Sequence, residues 1–258
     1  MLSNSEVVPL ERLHEEKYGR ILCYPRYDVK EVRRRVNELE ELEVKALEFT
    51  GEKTLSNLPV LGKGHVGIVI AASMDGRKAA LKIRRVDADR TGMRREADML
   101  RKANTVDVGP NLIDVTENFL VMELIEGTLL PRWVEALNER VKPRIRRVLR
   151  DVLEQCWRLD KLGLDHGELS RAPKHIIVDA KDKPCIVDFG TASTRRRVSN
   201  ATSICHYLFM GSQTAKTIEK ILDKISKEEL IRALRTYKQK HTREKFEKVL
   251  GACDLDKV

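Results

Sequence analysis

Gly62-Lys63-Gly64-His65-Val66-Gly67-Ile68-Val69 fits the pattern G-x-G-x-x-G-x-V without a mismatch. Glycines let the main chain come close to phosphate oxygens, with N–H groups as donors. A dinucleotide site of similar spacing needs a helix opening at the last glycine. Here the β-branched run Ile68-Val69-Ile70 follows Gly67, which predicts a strand and a glycine flap instead. Alone, the stretch would also serve as an ordinary turn between two strands, so the residues that follow it in order carry the decision.

Lys82 stands fifteen residues after Gly67, inside the apolar strand Ala79-Ala80-Leu81-Lys82-Ile83. A lysine there must send its ammonium to the surface or meet an anion. Glu96 follows in the charged helix Arg94-Arg95-Glu96-Ala97, placed either to pair with Lys82 or to partner Arg90 on the helix surface. Downstream, Val187-Asp188-Phe189-Gly190 follows the apolar residues Cys185-Ile186. A carboxylate at the end of a buried strand suits a hard Mg²⁺ ion bridging ATP phosphates. Between these pieces lies Leu164-Asp165-His166-Gly167-Glu168-Leu169-Ser170.

In this order the motifs resemble the RIO and Bud32-like branch of atypical protein kinases. Residues 165–176, Asp-His-Gly-Glu-Leu-Ser-Arg-Ala-Pro-Lys-His-Ile, resemble more closely an archaeal family of predicted Ser/Thr kinases. That family includes the archaeal tRNA kinase that phosphorylates the 2′-hydroxyl of a variable-loop uridine (uridine 47). The resemblance runs over residues 18–210 or so and implies ATP and Mg²⁺. It places Gly62, Lys63, Gly64, His65, Gly67 and Val69 around ATP, Lys82 on its phosphates with Glu96 holding it, and Asp188 on the metal. The stretch from Phe119 to Gly127 resembles a kinase hinge, with the Glu123 carbonyl and Ile125 amide facing adenine and Met122 behind it. Two departures stand out. Glu168 occupies the usual aspartate position of the catalytic loop, so either Glu168 or Asp165 is the candidate base. Pro173 falls where a metal-binding asparagine is expected, and His175, two residues on, takes that place as a candidate metal-site residue, a hydrogen-bond donor or a packing histidine. Lys174 is positioned to neutralise phosphate.

The expected fold is α+β: a bilobal kinase-like fold with a reduced C-lobe, preceded by a small β-α-β module. The boundaries fall at residues 1–57 for the module, 58–126 for the N-lobe and 127–258 for the helical C-lobe. Within the module, residues 20–24 are predicted as a strand, Asp28 as the cap of a helix, and 44–49 as a second strand. No apolar run approaches the length of a bilayer span, and the first eleven residues do not resemble a secretory leader. Five cysteines without a CxxC pair predict no disulfide-linked partner and a cytoplasmic setting.

The net charge of +9 is concentrated toward the end: residues 191–258 carry fifteen Lys and Arg against eight Asp and Glu. After Gly190 there is no Ala-Pro-Glu with which peptide kinases close an activation loop. Instead Thr194-Arg195-Arg196-Arg197 follows almost at once, and then a basic, helix-prone stretch from Lys238 to Lys245. Clustered arginines neutralise nucleic-acid phosphates, with Arg195, Arg196, Arg197 and Lys174 as RNA-binding candidates, and the family resemblance implies tRNA as the partner. The rival readings are a Ser/Thr protein kinase or ATPase of the RIO or Bud32 type, and an RNA-binding module that no longer transfers phosphate. The front helix carries Arg33-Arg34-Arg35, either as a further tRNA contact or as part of a packing extension. Oligomeric state is not legible.

Overall fold

The computed structural model describes residues 5–137 and 141–256; the first four of the eleven residues weighed as a leader lie outside them. The chain divides into two compact units, one of Met1–Arg101 with Asn111–Leu124, the other of Lys102–Pro110 with Ile125–Val258.

The first unit is built on an antiparallel seven-stranded sheet. Its elements are β1 (Glu6–Pro9), α1 (Glu16–Leu22), α2 (Val29–Glu41), β2 (Val44–Phe49), β3 (Lys53–Leu55), β4 (Leu58–Val60), β5 (Gly62–Lys63), β6 (Gly67–Met74) and β7 (Arg77–Arg84), followed by α3 (Gly92–Asn104), β8 (Leu112–Val115) and β9 (Phe119–Glu123). The strand order is β1-β2-β6-β7-β9-β8, with β5 pairing β6 from outside that path. β6 and β7 form a hairpin in which Gly67 faces Arg84 and Met74 faces Arg77, turning at Asp75-Gly76, both with left-handed backbone. Apolar residues from β2, β6, β7 and β9 share one core with Val32, Val36 and Leu39 of α2.

The front segment begins and ends in strands, as expected, but its first strand is 6–9 rather than 20–24. Residues 20–22 close α1, whose buried face is Tyr18, Ile21 and Leu22. The short apolar run that reads as a strand is therefore one side of a helix, an ambiguity inherent in runs of this length. Asp28 does cap α2, accepting the Glu31 N–H at 2.8 Å. The sequence placed a boundary between residues 57 and 58; β2 on one side of it pairs with β6 on the other, so both stretches share one sheet.

Of the three front arginines, Arg35 is a packing residue rather than an RNA contact. It is fully buried. Its guanidinium donates to the main-chain oxygens of Leu22 at 2.5 Å and Arg84 at 2.6 Å and to Asn118 Oδ1 at 3.0 Å, and meets Glu31 at 2.7 Å. Apolar positions at helical spacing on α2 turn this face inward, and Arg35 goes with them. Arg34 stays exposed and pairs with Glu31 at 3.0 Å.

The second unit is mainly helical: β10 (Gly127–Leu129), α4 (Leu130–Glu135), α5 (Lys142–Leu162), β11 (Ile176–Asp179), β12 (Pro184–Ile186), α6 (Asn200–His206), α7 (Gln213–Ile221), α8 (Lys227–Gln239) and α9 (Arg243–Ala252). α5 is its central helix, burying Ile145, Val148, Leu149, Val152, Leu153, Cys156 and Leu159, and ends at Gly163 in left-handed conformation. The basic stretch 238–245 is not one helix: α8 stops at Gln239, and Thr242 caps α9. Among the described residues no helix is long and apolar enough to cross a membrane.

Candidate active site

In the first unit, the glycine stretch folds as a tight hairpin: Gly62 faces Val69, Lys63 faces Ile68, and the Gly64 N–H donates to the Gly67 carbonyl at 2.8 Å. The three glycines differ in what the fold asks of them. A Cβ at Gly67 would lie 2.8 Å from the Ile83 carbonyl oxygen and 3.1 Å from Cγ of Lys82, so this glycine is required for packing. A Cβ at Gly62 or Gly64 would meet nothing closer than 3.5 Å, an ordinary contact. Packing thus explains Gly67, while Gly62 and Gly64 leave the backbone open to an approaching group. Lys63 is exposed and its ammonium lies 4.7 Å from the centre of the Tyr24 ring, a cation–π contact; His65 is exposed.

Lys82, opposite Val69 on β7, is buried, and its ammonium donates to both carboxylate oxygens of Glu96 at 2.7 Å. Helix α3 presents Glu96 inward with Met93, Ala97 and Leu100 at spacings of three and four. That inward face selects the Lys82 partnership over a surface pairing with Arg90. Met122 packs against a small cluster of Met93, Ala97 and Leu120. Glu123 ends β9 with its side chain exposed, accepting from the Asn111 main-chain N–H at 3.1 Å and side-chain amide at 2.8 Å. Ile125, half-buried, opens the second unit.

In the second unit, the β11–β12 ladder sets the register of the chemistry. Ile176 faces Ile186, and one step further the Val187 N–H donates to the His175 carbonyl at 2.9 Å. This brings His175 and Asp188 to the same end of the ladder. His175 Nε2 lies 3.2 Å from Glu168 Oε2 and 4.0 Å from Asp188 Oδ2. One ligand atom from each of Glu168, His175 and Asp188 lies within 4.8 Å of the others. His175 is 1% exposed, and burial holds its pKa down, opposed by the two carboxylates. Asp188 has φ +70°, a left-handed conformation that a non-glycine residue adopts at a cost of about 1 kcal/mol or more. The two carboxylates are hard oxygen donors and fit Mg²⁺; a neutral imidazole suits it poorly.

Asp165 is placed differently. Its carboxylate accepts from Arg196 Nε at 2.8 Å, and its main chain bridges Ser193. Arg196 also donates to the Thr191 carbonyl at 2.6 Å, crossing the space a Cβ on Gly167 (φ +92°) would occupy. Arg195 and Arg197 are exposed, Arg197 donating to the Lys238 carbonyl at 2.8 Å; Lys174 is exposed as well. Most of the sequence-predicted residues are thus gathered into three groups within their units: the glycine hairpin with Lys82 and Glu96; Glu168 with His175 and Asp188; Asp165 with Arg196. Met122, Glu123, Ile125, Lys174, Arg195 and Arg197 belong to none of these.

Sequence reasoning missed the support beneath the loop that carries Asp165 and Glu168. Asp160 of α5 accepts from the Asn200 N–H and Nδ2 at 2.9 Å, the Ala201 N–H at 3.1 Å and the Tyr237 hydroxyl at 2.8 Å. Asn200 in turn donates to the Leu164 carbonyl at 2.7 Å and accepts from the His166 N–H at 2.8 Å. The His166 ring is buried against Phe189, centroids 5.1 Å apart, with Nε2 3.2 Å from the Val187 carbonyl; burial brings its pKa down to about 4, so it is neutral near pH 7. The available signal was Asp160 itself, a carboxylate four residues after Cys156 on the apolar face of an amphipathic helix.

The antiparallel sheet, the lysine–glutamate pair and the acid-bearing loops define a kinase-like protein. A RIO domain matches residues 70–204, just over half the chain, and the chain belongs to this family of atypical kinases and ATPases, whose members use ATP and Mg²⁺. The match starts after the glycine hairpin. Over 102 residues, 40% of this chain and 84% of the relative, the sequence is 33% identical to an uncharacterized protein of Methanocaldococcus jannaschii.

Proposed function

We propose that the protein transfers the γ-phosphoryl group of ATP to a ribose 2′-hydroxyl of tRNA, with a variable-loop uridine as acceptor. The observation that carries this reading is the tether between Arg196 and Asp165. It holds the arginine run at the loop bearing Glu168, leaving Arg195 and Arg197 exposed for phosphates. The absence of an Ala-Pro-Glu segment after Gly190 argues in the same direction.

Lys82, oriented by Glu96, grips ATP phosphates, and the main chain at Gly62 and Gly64 approaches them closely. Mg²⁺, where bound, would neutralise charge on the phosphates, and Asp188 is the carboxylate suited to hold it. Glu168 orients the 2′-hydroxyl and accepts its proton as the oxygen bonds to the γ-phosphorus and the bond to the bridging β,γ-oxygen breaks, with ADP leaving. Asp165, neutralised by Arg196, is the positioning residue rather than the base. A flexible loop nucleotide enters such a site at smaller unstacking cost than one in a helix, and a ribose acceptor distinguishes RNA from DNA.

The test is incubation with γ-labelled ATP and unmodified tRNA, or a generic protein. Label in tRNA that is lost when the target ribose carries a 2′-methoxy group is expected. Label in protein alone overturns this reading in favour of a RIO-type Ser/Thr kinase, which the family match supports. Glu168→Gln is expected to lower kcat by about 10²-fold or more and Asp165→Asn by much less; the reverse order makes Asp165 the base.

A further inference from the structure

We infer that Tyr24, in the front segment, is a positioning residue for ATP: its ring clasps Lys63 from behind the glycine hairpin and holds the hairpin in the shape that receives phosphates. This role rests on the family's use of ATP and not on the identity of the acceptor. The RIO match starts at residue 70, so Tyr24 and Lys63 both lie outside it.

The strand register decides which way Lys63 points. Residues directly opposite in an antiparallel ladder share a face, and neighbours along a strand take opposite faces. Val69 stands opposite both Gly62 and Lys82. A Cβ at Gly62 would meet Val69 Cβ at 3.6 Å, and one at Gly67 would meet Lys82 Cγ at 3.1 Å. Positions 62, 67, 69 and 82 therefore share the face that carries the Lys82 ammonium. Lys63 lies one step along, opposite Ile68, which in turn stands opposite Ile83; both isoleucines are buried in the core shared with α2. The Lys63 side chain thus leaves the hairpin on the side away from Lys82. There its ammonium lies 4.7 Å from the centre of the Tyr24 ring.

Tyr24 is itself fastened to the end of β7. Its carbonyl accepts the Val86 N–H at 3.0 Å, and the Arg85 guanidinium lies 5.2 Å from its ring centre, held by Asp87 at 2.7 Å. The Arg85 N–H donates to the Val66 carbonyl at 2.9 Å. The hairpin loop is therefore tied on both sides of its turn, through Lys63 to Tyr24 and through Val66 to Arg85. A glycine-rich turn loses much backbone freedom when it is ordered. These ties meet that cost before nucleotide arrives, and a loop already in shape binds more tightly. The Lys63 ammonium is committed to Tyr24 and not to phosphate.

The experiment uses the full chain in two measurements: hydrogen exchange at the amides of residues 62–67 without nucleotide, and equilibrium binding of ATP with Mg²⁺. Tyr24→Leu and Lys63→Met should each speed exchange at 62–67 and weaken ATP by about three- to tenfold, the size of one cation–π contact. Exchange at Ile70 and Leu81, in the middle of the β6–β7 ladder, should stay as in the parent. The double variant should bind no more weakly than either single one, since both remove the same contact. Tyr24→Phe, which keeps the ring, should match the parent in both measurements. Weaker ATP binding by Lys63→Met without faster exchange makes Lys63 a phosphate ligand and overturns the inference. Additive losses, or a Tyr24→Phe protein as weak as Tyr24→Leu, overturn it as well. Lost protection at Ile70 and Leu81 makes Tyr24 a general packing residue, with the same consequence. If the variants behave as expected while the parent labels no tRNA, the role of Tyr24 stands and the RNA-kinase reading fails.

Discussion

Lys82 and Glu96 form a buried pair, 8% and 3% exposed at their side chains. Removing one charge from such a pair leaves the other uncompensated in a poor solvent, which costs more than the pair is worth in binding the two together. Lys82→Met is expected to lower stability by about 3 kcal/mol, and Lys82→Met combined with Glu96→Leu to regain at least half of that, measured by urea unfolding. On the proposed mechanism both proteins should be inactive, because there the phosphate grip depends on the ammonium and not on the fold it helps to hold. A single substitution without loss of stability would show that Glu96 is satisfied by its other neighbours. At the same scale, Glu168 and Asp165 lie three residues apart yet face different partners, His175 and Arg196. Side-chain length alone does not separate them; their partners do.

The glycine hairpin illustrates what an element requires as opposed to what it offers. Gly67→Ala drives a methyl group into the Ile83 carbonyl, and a loss of about 1–3 kcal/mol is expected because backbone must shift. Gly64→Ala meets no such obstacle; its melting temperature should stay close to that of the parent, while KM for ATP rises. Equal loss of stability in both would assign Gly64 to packing. In helix α2, Arg35 ties α1, β7 and the residue before β9 through Leu22, Arg84 and Asn118. Arg35→Leu strands two buried carbonyls, and a cost of about 3 kcal/mol is expected in urea unfolding. A smaller cost than for a surface arginine such as Arg33 would remove it from the core.

At the scale of the whole molecule, charge is unevenly distributed, with the excess in residues 191–258. Several of these cations already have partners: Arg243 pairs with Glu154 and Glu247, and Lys248 with Glu244. The formal excess therefore overstates what is left for a polyanion. Arg195→Ala with Arg197→Ala is expected to weaken tRNA binding and flatten the slope of log K against log salt by about one for each arginine–phosphate pairing removed. An unchanged slope would put the anion-binding surface elsewhere.

Much of this was legible in the residues themselves. Periodicity and turn chemistry are local, so β2, the β6–β7 hairpin, the cap at Asp28 and the order of glycines, lysine, glutamate and aspartate could be read from the chain alone. Residues 20–24 could not, because five apolar-rich positions fit either period. Nor could Arg35, whose charge marks it for the surface until three neighbouring carbonyl and amide oxygens draw it inside. Tertiary structure alone decided that His175 stands beside Asp188, through the β11–β12 register. It also decided that Asp160 and Asn200 carry the loop from below, since hydrogen bonds between residues forty positions apart leave no trace in any window of sequence.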